Sequence, residues 1–382
     1  MLTDLHTLPS ATPGTQRQLR RLRFGPATSS RMAYLQAALH ADEVPALLVA
    51  HHLAEGLAAL EQAGGLREAV HLVPMANPLG LAQEHLGLHQ GRFEQGSGGN
   101  FNRQFLHLTP LVLAQVREQV KPGDAAHNQR VVREALAQVM SERCAQATSE
   151  VEALKRQLQA WAVPADLVLD LHCDNQGVMH LYTTPQAQAR VQPLADWLQA
   201  EAVLLAEVSG GDPFDESLSR TWPELRAELG DEFPLGPGCD ALTVELRGET
   251  DVSHELARQD AQALLRFLAH EGYVDAVVLD ALFGPAERPA SRCQPSRLDA
   301  VETFRAPHPG VVVYRCHPGD DVQAGQVVAD IVCPFTGRST PLVAQHGGRF
   351  YARPARRHAS RGMALAKLAG TVTCRSGALL SL

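Results

Sequence analysis

The sequence has few cysteines and no excess of positive charge, and each shortage excludes a class of protein. Its 7 cysteines among 382 residues are scattered, with no Cys-x-x-Cys pair, so we expect neither a disulfide framework nor a thiolate zinc site. The formal net charge of −8 argues against nucleic acid or an anionic membrane as the main partner.

Long apolar runs are also missing, and no stretch is long enough to cross a bilayer as a helix. Residues 1–10 have neither the basic start nor the apolar core of a signal peptide, so we expect a cytoplasmic location. Hydrophobic residues make up 45% of the chain and charged residues 20%, as in ordinary globular proteins. A chain of 382 residues is expected to form two domains rather than one.

Strand and helix patterns alternate over residues 1–284. Apolar stretches that suit buried strands lie between amphipathic stretches that suit helices. This alternation predicts an α/β domain with a mostly parallel central sheet flanked by helices. The predicted strands are residues 32–39, 71–75, 167–171 and 241–246, and the predicted helices are residues 44–60, 126–161 and 253–270.

The composition changes near Pro285. Residues 285–302 combine Pro285, Pro289 and Pro295 with several charged residues, which is typical of a linker. Residues 303–382 hold short alternating strand patterns separated by Gly and Pro turns, and these predict a small all-β domain.

Three residues at strand ends have the side chains of a metal site. His40 and Glu43 lie three residues apart where the chain leaves a strand, and His172 ends another strand, so all three are expected at the carboxyl edge of the sheet. Two imidazoles and one carboxylate form a zinc site that keeps one position open for water. Asp170 would orient the His172 imidazole as a hydrogen-bond acceptor. We therefore predict one Zn²⁺ per chain.

Each of these residues also has an ordinary interpretation, because an isolated His-x-x-Glu pair arises by chance and His172 alone would suit a protein core. Other histidines have to be excluded as ligands. Structural or solvated roles are expected for a pair in a predicted helix, one that opens a predicted strand and two in a loop, namely His51, His52, His71, His85 and His89.

Glu245 interrupts an otherwise apolar strand. Burial of an unpaired carboxylate is unfavourable, so this side chain needs a partner or a catalytic task. Beside a zinc-bound water it would serve as a general base. The alternative is a structural ion pair with Arg247 or another cation.

Residues 77–105 are rich in Gly, Asn and Gln and lack periodicity, which is typical of a functional or mobile loop. Asn102 and Arg103 close this loop, and such a pair can hold a carboxylate. Arg92 could stabilise the oxyanion that forms when water attacks an amide carbonyl. Taken singly, each is an ordinary loop residue.

Because these residues follow one another along the chain in the family's order, the chain resembles the succinylglutamate desuccinylase/aspartoacylase family, a branch of the zinc carboxypeptidase-like fold. The resemblance runs from about Phe24 to Leu282, and the all-β region resembles lipoyl-type barrel-sandwich domains. The motifs that carry it are His40-Ala-Asp-Glu43, Val73-Pro-Met-Ala-Asn-Pro78, Asn102-Arg103, Asp170-Leu-His172 and Thr243-Val-Glu-Leu246.

The resemblance implies a role for each candidate residue. His40, Glu43 and His172 would be the zinc ligands and Glu245 the general base. Arg92 would help to polarise the scissile carbonyl, and Asn102 and Arg103 would bind a substrate carboxylate.

The chain departs from the family in three places, one of which is a longer stretch between Arg92 and Asn102 than in the best-known members. Ala41 stands where the family usually has Gly, and Cys173-Asp174 replaces a Ser/Gly-rich continuation. The all-β region lacks a Lys at the turn of residues 334–338, where lipoyl-type domains carry their cofactor. We expect it to be structural or to shape the mouth of the cleft.

The expected function is a zinc-dependent hydrolase that cleaves the amide bond of an N-acyl amino acid or a similar small amide that bears a carboxylate. The alternatives are a metallocarboxypeptidase that acts on peptides and a non-catalytic ligand-binding protein. The expected partner is a small carboxylate-bearing molecule rather than nucleic acid or a membrane, and the sequence leaves a homo-oligomer open.

Overall fold

A mixed sheet flanked by helices forms the larger part of the molecule, which is known from a computed structural model that describes residues 1–377 and 379. The strands before residue 300 are β1 Leu2–Thr7, β2 Gln18–Phe24, β3 Met32–Ala37, β4 Ala69–Val73, β5 Glu84–His85, β6 Leu88–His89, β7 Leu167–Asp174, β8 Gln176–Gly177, β9 Met179–Thr183, β10 Ala202–Leu205, β11 Asp240–Gly248 and β12 Ser296–Arg297. Nine of them pair in the order β1-β2-β4-β3-β7-β11-β9-β10-β12.

The centre of this sheet is parallel and its flanks are mixed. Strands β4, β3, β7 and β11 run parallel to one another, whereas β2 pairs with β4 and β9 pairs with β11 in the antiparallel direction. Leu167, Leu169 and Leu171 of β7 are fully buried, as expected for a central strand that is covered on both faces. The predicted α/β fold with a mostly parallel sheet is therefore confirmed.

Helices cover both faces of the sheet and bury two separate apolar cores. One core packs under α1, α6, α9 and α10, and the other lies under α3, α4, α5, α7 and α8. The helix bounds are α1 Pro45–Gln62, α2 Pro78–Leu81, α3 Thr109–Gln119, α4 Ala125–Ala145, α5 Glu150–Ala162, α6 Gln188–Trp197, α7 Phe214–Ser219, α8 Thr221–Leu229, α9 His254–His270 and α10 Ala276–Phe283.

Local sequence explains how several of these helices begin and end. Pro45 occupies the first turn of α1, where no amide hydrogen is needed. Ser253 caps α9 because its side chain accepts from the Leu256 amide. The single helix predicted over residues 126–161 is two helices, α4 and α5, and Ser149 caps the second by accepting from the Glu152 amide. None of the helices in the described residues is long and apolar enough to cross a membrane.

The C-terminal part of the chain is all-β, as predicted, and forms two small sheets around its own core. Strand β8 pairs with β18 and β12 pairs with β10, so main-chain hydrogen bonds tie this region to the larger one. The residue limits of two domains and a linker stay a prediction. The strands are β13 Val301–Arg305, β14 Gly310–Tyr314, β15 Asp321–Val322, β16 Val327–Val332, β17 Ser339–Val343, β18 Gly348–Arg353, β19 His358–Ala359 and β20 Ala364–Ala369.

Candidate active site

Three neighbouring strands deliver the candidate residues to one edge of the sheet. His40 and Glu43 follow β3, His172 lies near the end of β7, and Glu245 lies on β11 directly opposite His172 in the register. Ala38 adopts a left-handed conformation, with φ of 59°, where the chain turns away from β3. Because that conformation is strained for alanine, the surrounding packing must hold this turn in place.

His40, Glu43 and His172 form a compact buried group. Glu43 lies between the two imidazoles, with Oε1 2.8 Å from His40 Nδ1 and Oε2 2.7 Å from His172 Nδ1. All three side chains are buried, and their ligand atoms lie within 4.8 Å of one another. The group could hold a metal ion.

Surrounding groups fix the orientation of each member. Asn100 Oδ1 accepts from the Asn102 amide and lies 2.8 Å from His40 Nε2, so Nε2 carries the hydrogen and Nδ1 presents a lone pair when His40 is neutral. His172 Nε2 lies 2.9 Å from Asp170 Oδ2. The Cys173 amide donates to Glu43 Oε2. This arrangement of outer acceptors is the one that metal-binding histidines need.

The pKa shifts in this group follow from burial and charge. Burial, assisted by the charge of Arg92, lowers the pKa of His40 to about 4, so His40 is neutral near pH 7. Burial opposes the ionisation of Glu43 and the protonation of His172. The two imidazoles nevertheless hold the pKa of Glu43 well below its ordinary value, while Asp170 and Glu43 raise the pKa of His172.

Glu245 lies beside this group and has no cation partner within 4 Å among the described residues. Its Oε2 is buried without a hydrogen bond, and burial together with Asp174 raises its pKa to about 7. Arg247, the alternative partner considered from the sequence, pairs with Asp260 instead. The ion pair with Arg247 is therefore excluded.

The loop that follows β4 places Arg92, Asn102 and Arg103 on the wall of the same cleft. Arg92 Nη1 donates to Glu43 Oε1 at 2.8 Å. Asn102 Oδ1 accepts from the Phe214 amide, and its Nδ2 lies 3.4 Å from His172 Nε2. Arg103 Nη1 donates to the Asn102 carbonyl, and a side chain at Gly211 would collide with Arg103 Cδ at 2.8 Å.

The structure adds residues that sequence reasoning missed. Asp174 and Thr243 face the cleft because they alternate with His172 and Glu245 along their strands, a period of two that could have revealed them. Lys367 comes from β20 of the all-β region, and its Nζ lies 3.8 Å from Asp174 Oδ1. No local pattern in the sequence signals that Lys367 would enter a cleft formed mainly by another part of the chain.

The family is decided by comparison with known proteins. Residues 29–271 match the profile of the succinylglutamate desuccinylase/aspartoacylase catalytic domain. This chain belongs to that family. No curated protein matches it significantly.

Solved structures share the fold of this chain over nearly its whole length. A family protein from Shewanella amazonensis is 25% identical with a TM-score of 0.82, and the match covers 97% of this chain and 98% of that one. A second, from Shewanella frigidimarina, is 22% identical with a TM-score of 0.83 and 97% of both chains covered. The product-bound ectoine utilization protein EutE (DoeB) from Ruegeria pomeroyi shares the fold at 17% identity and a TM-score of 0.64, with 97% of this chain and 95% of that chain covered.

This family member accommodates Ala41 through its neighbour Gly91. The Ala41 amide donates to the Gly91 carbonyl, and Ala41 is fully buried. A Cβ on Gly91 would lie 2.2 Å from the Asp42 nitrogen, so the loop that carries Arg92 can pack here only with glycine at position 91.

Of the other histidines, His180 lies close to Asp174 and Glu245, whereas the five set aside from the sequence do not line the cleft. His51, His52 and Glu55 on α1 form a second group whose ligand atoms lie close together, and His52 Nε2 also lies 3.0 Å from His254 Nδ1. His71 is the third residue of β4, so the prediction that it opens a strand is wrong by two residues, because the strand begins at Ala69. His85 and His89 lie in the short exposed hairpin of β5 and β6.

Proposed function

We propose that this protein is a zinc-dependent amidohydrolase that cleaves an N-acyl amino acid or a similar small amide bearing a carboxylate. The observation that carries the proposal is the convergence of His40, Glu43 and His172 beside the carboxylate of Glu245, whose Oε2 is buried and which has no cation partner within 4 Å in the described structure. Binding alone would not require such a base, so the combination favours an enzyme over a ligand-binding protein.

The residues present suit a zinc ion. The neutral His40 directs its Nδ1 lone pair at a carboxylate oxygen 2.8 Å away, and two acceptors at this distance repel each other unless a proton or a metal ion lies between them. Two imidazoles and one carboxylate are the ligand set of open zinc sites. When bound, zinc would supply a Lewis acid that lowers the pKa of a water molecule to about 7 and polarises the substrate carbonyl.

Glu245 would serve as general base and then as general acid. A carboxylate whose pKa is about 7 can accept a proton from the attacking water and later return it to the departing amine, because neither transfer is strongly uphill near neutral pH. Burial, which raises this pKa, also keeps bulk water from competing for the carboxylate.

The loop residues would hold the substrate. Asn102 and Arg103 would bind its carboxylate by charge-assisted hydrogen bonds. Arg92, beside Glu43, would add positive charge where the oxyanion develops.

The first test is metal analysis of protein purified without added zinc, followed by hydrolysis assays on a panel of N-acyl amino acids and short peptides. We expect about one equivalent of zinc and turnover of acyl amino acids. Preferential cleavage of peptides would favour a metallocarboxypeptidase, and an empty site without turnover would favour a binding protein.

The second test is Glu245→Gln, which keeps the shape of the side chain but removes the base. Zinc should stay bound, and kcat should fall by about 100-fold or more. Glu255→Gln, on the exposed first turn of α9, removes the same charge outside the cleft and should behave as wild type. Near-normal turnover by Glu245→Gln would refute the base assignment.

A further inference from the structure

The cleft continues beyond Glu245 along one face of β11. Ala241, Thr243 and Glu245 alternate along this strand, and all three line the cleft. Because a strand rises about 3.3 Å per residue, Thr243 lies about 7 Å deeper than Glu245. Thr243 Oγ1 donates to Asp215 Oδ2 at 3.0 Å, so Asp215 lies beside Thr243 at the deep end of the cleft.

The deep end of the cleft is here called the distal pocket. Its lining residues are Thr183, Asp215, Glu216 and Thr243. Two of its buried side chains have polar atoms without a hydrogen bond in the described structure. Thr183 Oγ1 belongs to a residue that is 5% exposed, and Glu216 Oε1 belongs to one that is 6% exposed. Buried polar atoms normally have partners, so this pocket is built to receive a polar group.

The charge of the distal pocket is negative. Glu216 Oε2 accepts from Ser209, and Glu216 Oε1 has only a 3.5 Å ion pair with Arg220, which does not line the cleft. Asp215 receives the Thr243 hydroxyl and has no cation within 4 Å among the described residues. Arg103 is the nearby guanidinium on the cleft wall, and both carboxylates act on it electrostatically.

The position of Arg103 decides which part of a substrate enters the distal pocket. Our proposed function assigns the substrate carboxylate to Asn102 and Arg103, and Asn102 Oδ1 accepts from the backbone amide of Phe214, the residue before Asp215, at 2.8 Å. The side chain of the amino acid that bears this carboxylate would therefore point at Asp215. The acyl group would lie on the other side of the scissile bond, towards Lys367 and Asp174.

We propose that the amino acid released by this enzyme has a positively charged side chain, an amine or a guanidinium, which binds to Asp215 in the distal pocket. The proposal rests on the proposed function for the location of the carboxylate and the scissile bond. A cation would pair with Asp215 and compensate its charge, whereas an acidic side chain would add a third negative charge beside Asp215 and Glu216.

The test compares substrates that differ only in this charge. With the same acyl group throughout, the panel contains the Nα-acyl derivatives of ornithine and its neutral analogue norvaline, of arginine and its neutral analogue citrulline, and of glutamate. We expect kcat/KM to be at least 10-fold higher for each cationic member than for its neutral analogue. Equal rates, or a preference for glutamate, would overturn the proposal while leaving the hydrolase function intact.

A variant pair assigns the preference to Asp215. Asp215→Asn should lower kcat/KM for the ornithine derivative at least 10-fold more than for the norvaline derivative. Asp212→Asn removes the same charge three residues away, at a side chain that pairs with Arg220 outside the cleft, and should keep the wild-type preference. A preference that survives Asp215→Asn would overturn the assignment, provided that thermal denaturation shows the variant to be folded.

A binding measurement decides the proposal even if no acyl amino acid is hydrolysed, an outcome that would refute the proposed function. Calorimetric titration with free ornithine and free norvaline requires no turnover. Ornithine should bind at least 10-fold more tightly to the wild type, and Asp215→Asn should abolish the difference. Equal affinities in the wild type would overturn the proposal.

Discussion

The two ends of the cleft use their polar side chains differently. The end proposed to hold the metal, here called the metal end, contains His40, Glu43, His172 and Glu245. Its Glu43 carboxylate contacts His40, His172, Arg92 and the Cys173 amide, so each of its oxygens has two partners. In the distal pocket, Thr183 and Glu216 keep buried atoms without hydrogen bonds. Contacts from four groups therefore fix the central carboxylate of the first end, whereas the walls of the second end keep side-chain atoms that a bound polar group could still contact.

The largest expected effect comes from Glu43→Gln at the metal end. Loss of the central carboxylate removes a proposed ligand and the acceptor between both imidazoles, so metal affinity should fall by more than about 100-fold, above the usual effect of changing an outer partner. Glu55→Gln is the matched control in the surface group with His51 and His52. Zinc retained by Glu43→Gln but lost by Glu55→Gln would place the metal on α1.

At the distal end, Asp215→Asn should stabilise the fold. Burial, with a contribution from Asp170, raises the pKa of Asp215 from 3.8 to about 6, so the folded state holds this proton more tightly than the unfolded state. Wild-type stability should therefore fall as pH rises through about 4 to 6, and the variant should lack this fall. At pH 7 the gain should reach up to about 3 kcal/mol.

Denaturant unfolding at pH 4 and pH 7 measures this difference. Asp212→Asn is again the control, since the Asp212 side chain is 42% exposed and pairs with Arg220. An Asp215→Asn variant that is less stable than wild type at pH 7 would show that Asp215 already has a structural cation partner. The contrast between the two ends would then be lost.

Arg103→Ala tests the region where the two ends meet. Removal of a charge-assisted hydrogen bond should weaken substrate binding by about 1.5–3 kcal/mol. Inhibition or product-binding constants measure this loss. Arg117→Ala on α3, which forms an exposed ion pair with Glu228, provides the control. An unchanged Michaelis constant would remove Arg103 from the carboxylate site.

Lys367→Met should have the smallest effect on stability. The Lys367 side chain is 35% exposed and its pair with Asp174 is long, at 3.8 Å, so the free energy of unfolding should change by less than about 1 kcal/mol. The effect on kcat/KM should be larger than this, because Lys367 is a cation on the cleft wall close to Asp174. Equal and small effects on both quantities would show that the all-β region contributes only structure.

Local pattern predicts the metal end well for a physical reason. A strand that is buried on both faces must be apolar, so a polar residue at its end is conspicuous, and parallel strands bring such ends together. His40, Glu43, His172 and Glu245 were all predicted in this way, and the structure brings them together. The helix break between α4 and α5 was missed because Ser149 caps a new helix without any Gly or Pro to mark the boundary.

The distal pocket was not predictable in the same way. Asp215 lies on the short helix α7, whose acidic residues resemble those of any solvated first turn. Its burial depends on the packing of α7 against β11, and its hydrogen bond to Thr243 joins residues 28 positions apart. Lys367 is more remote still, since it reaches Asp174 only because β18 of the all-β region pairs with β8, the short strand that follows β7.

The sequence by itself determined the fold class, the family motifs and the residues of the metal end, because alternation and strand-end polarity are local properties of a chain. The tertiary structure alone decided which charges face one another across the cleft. Electrostatic neighbours such as Asp215 and Arg103, or Lys367 and Asp174, come from separate elements, and their distances are set by packing rather than by any spacing along the chain.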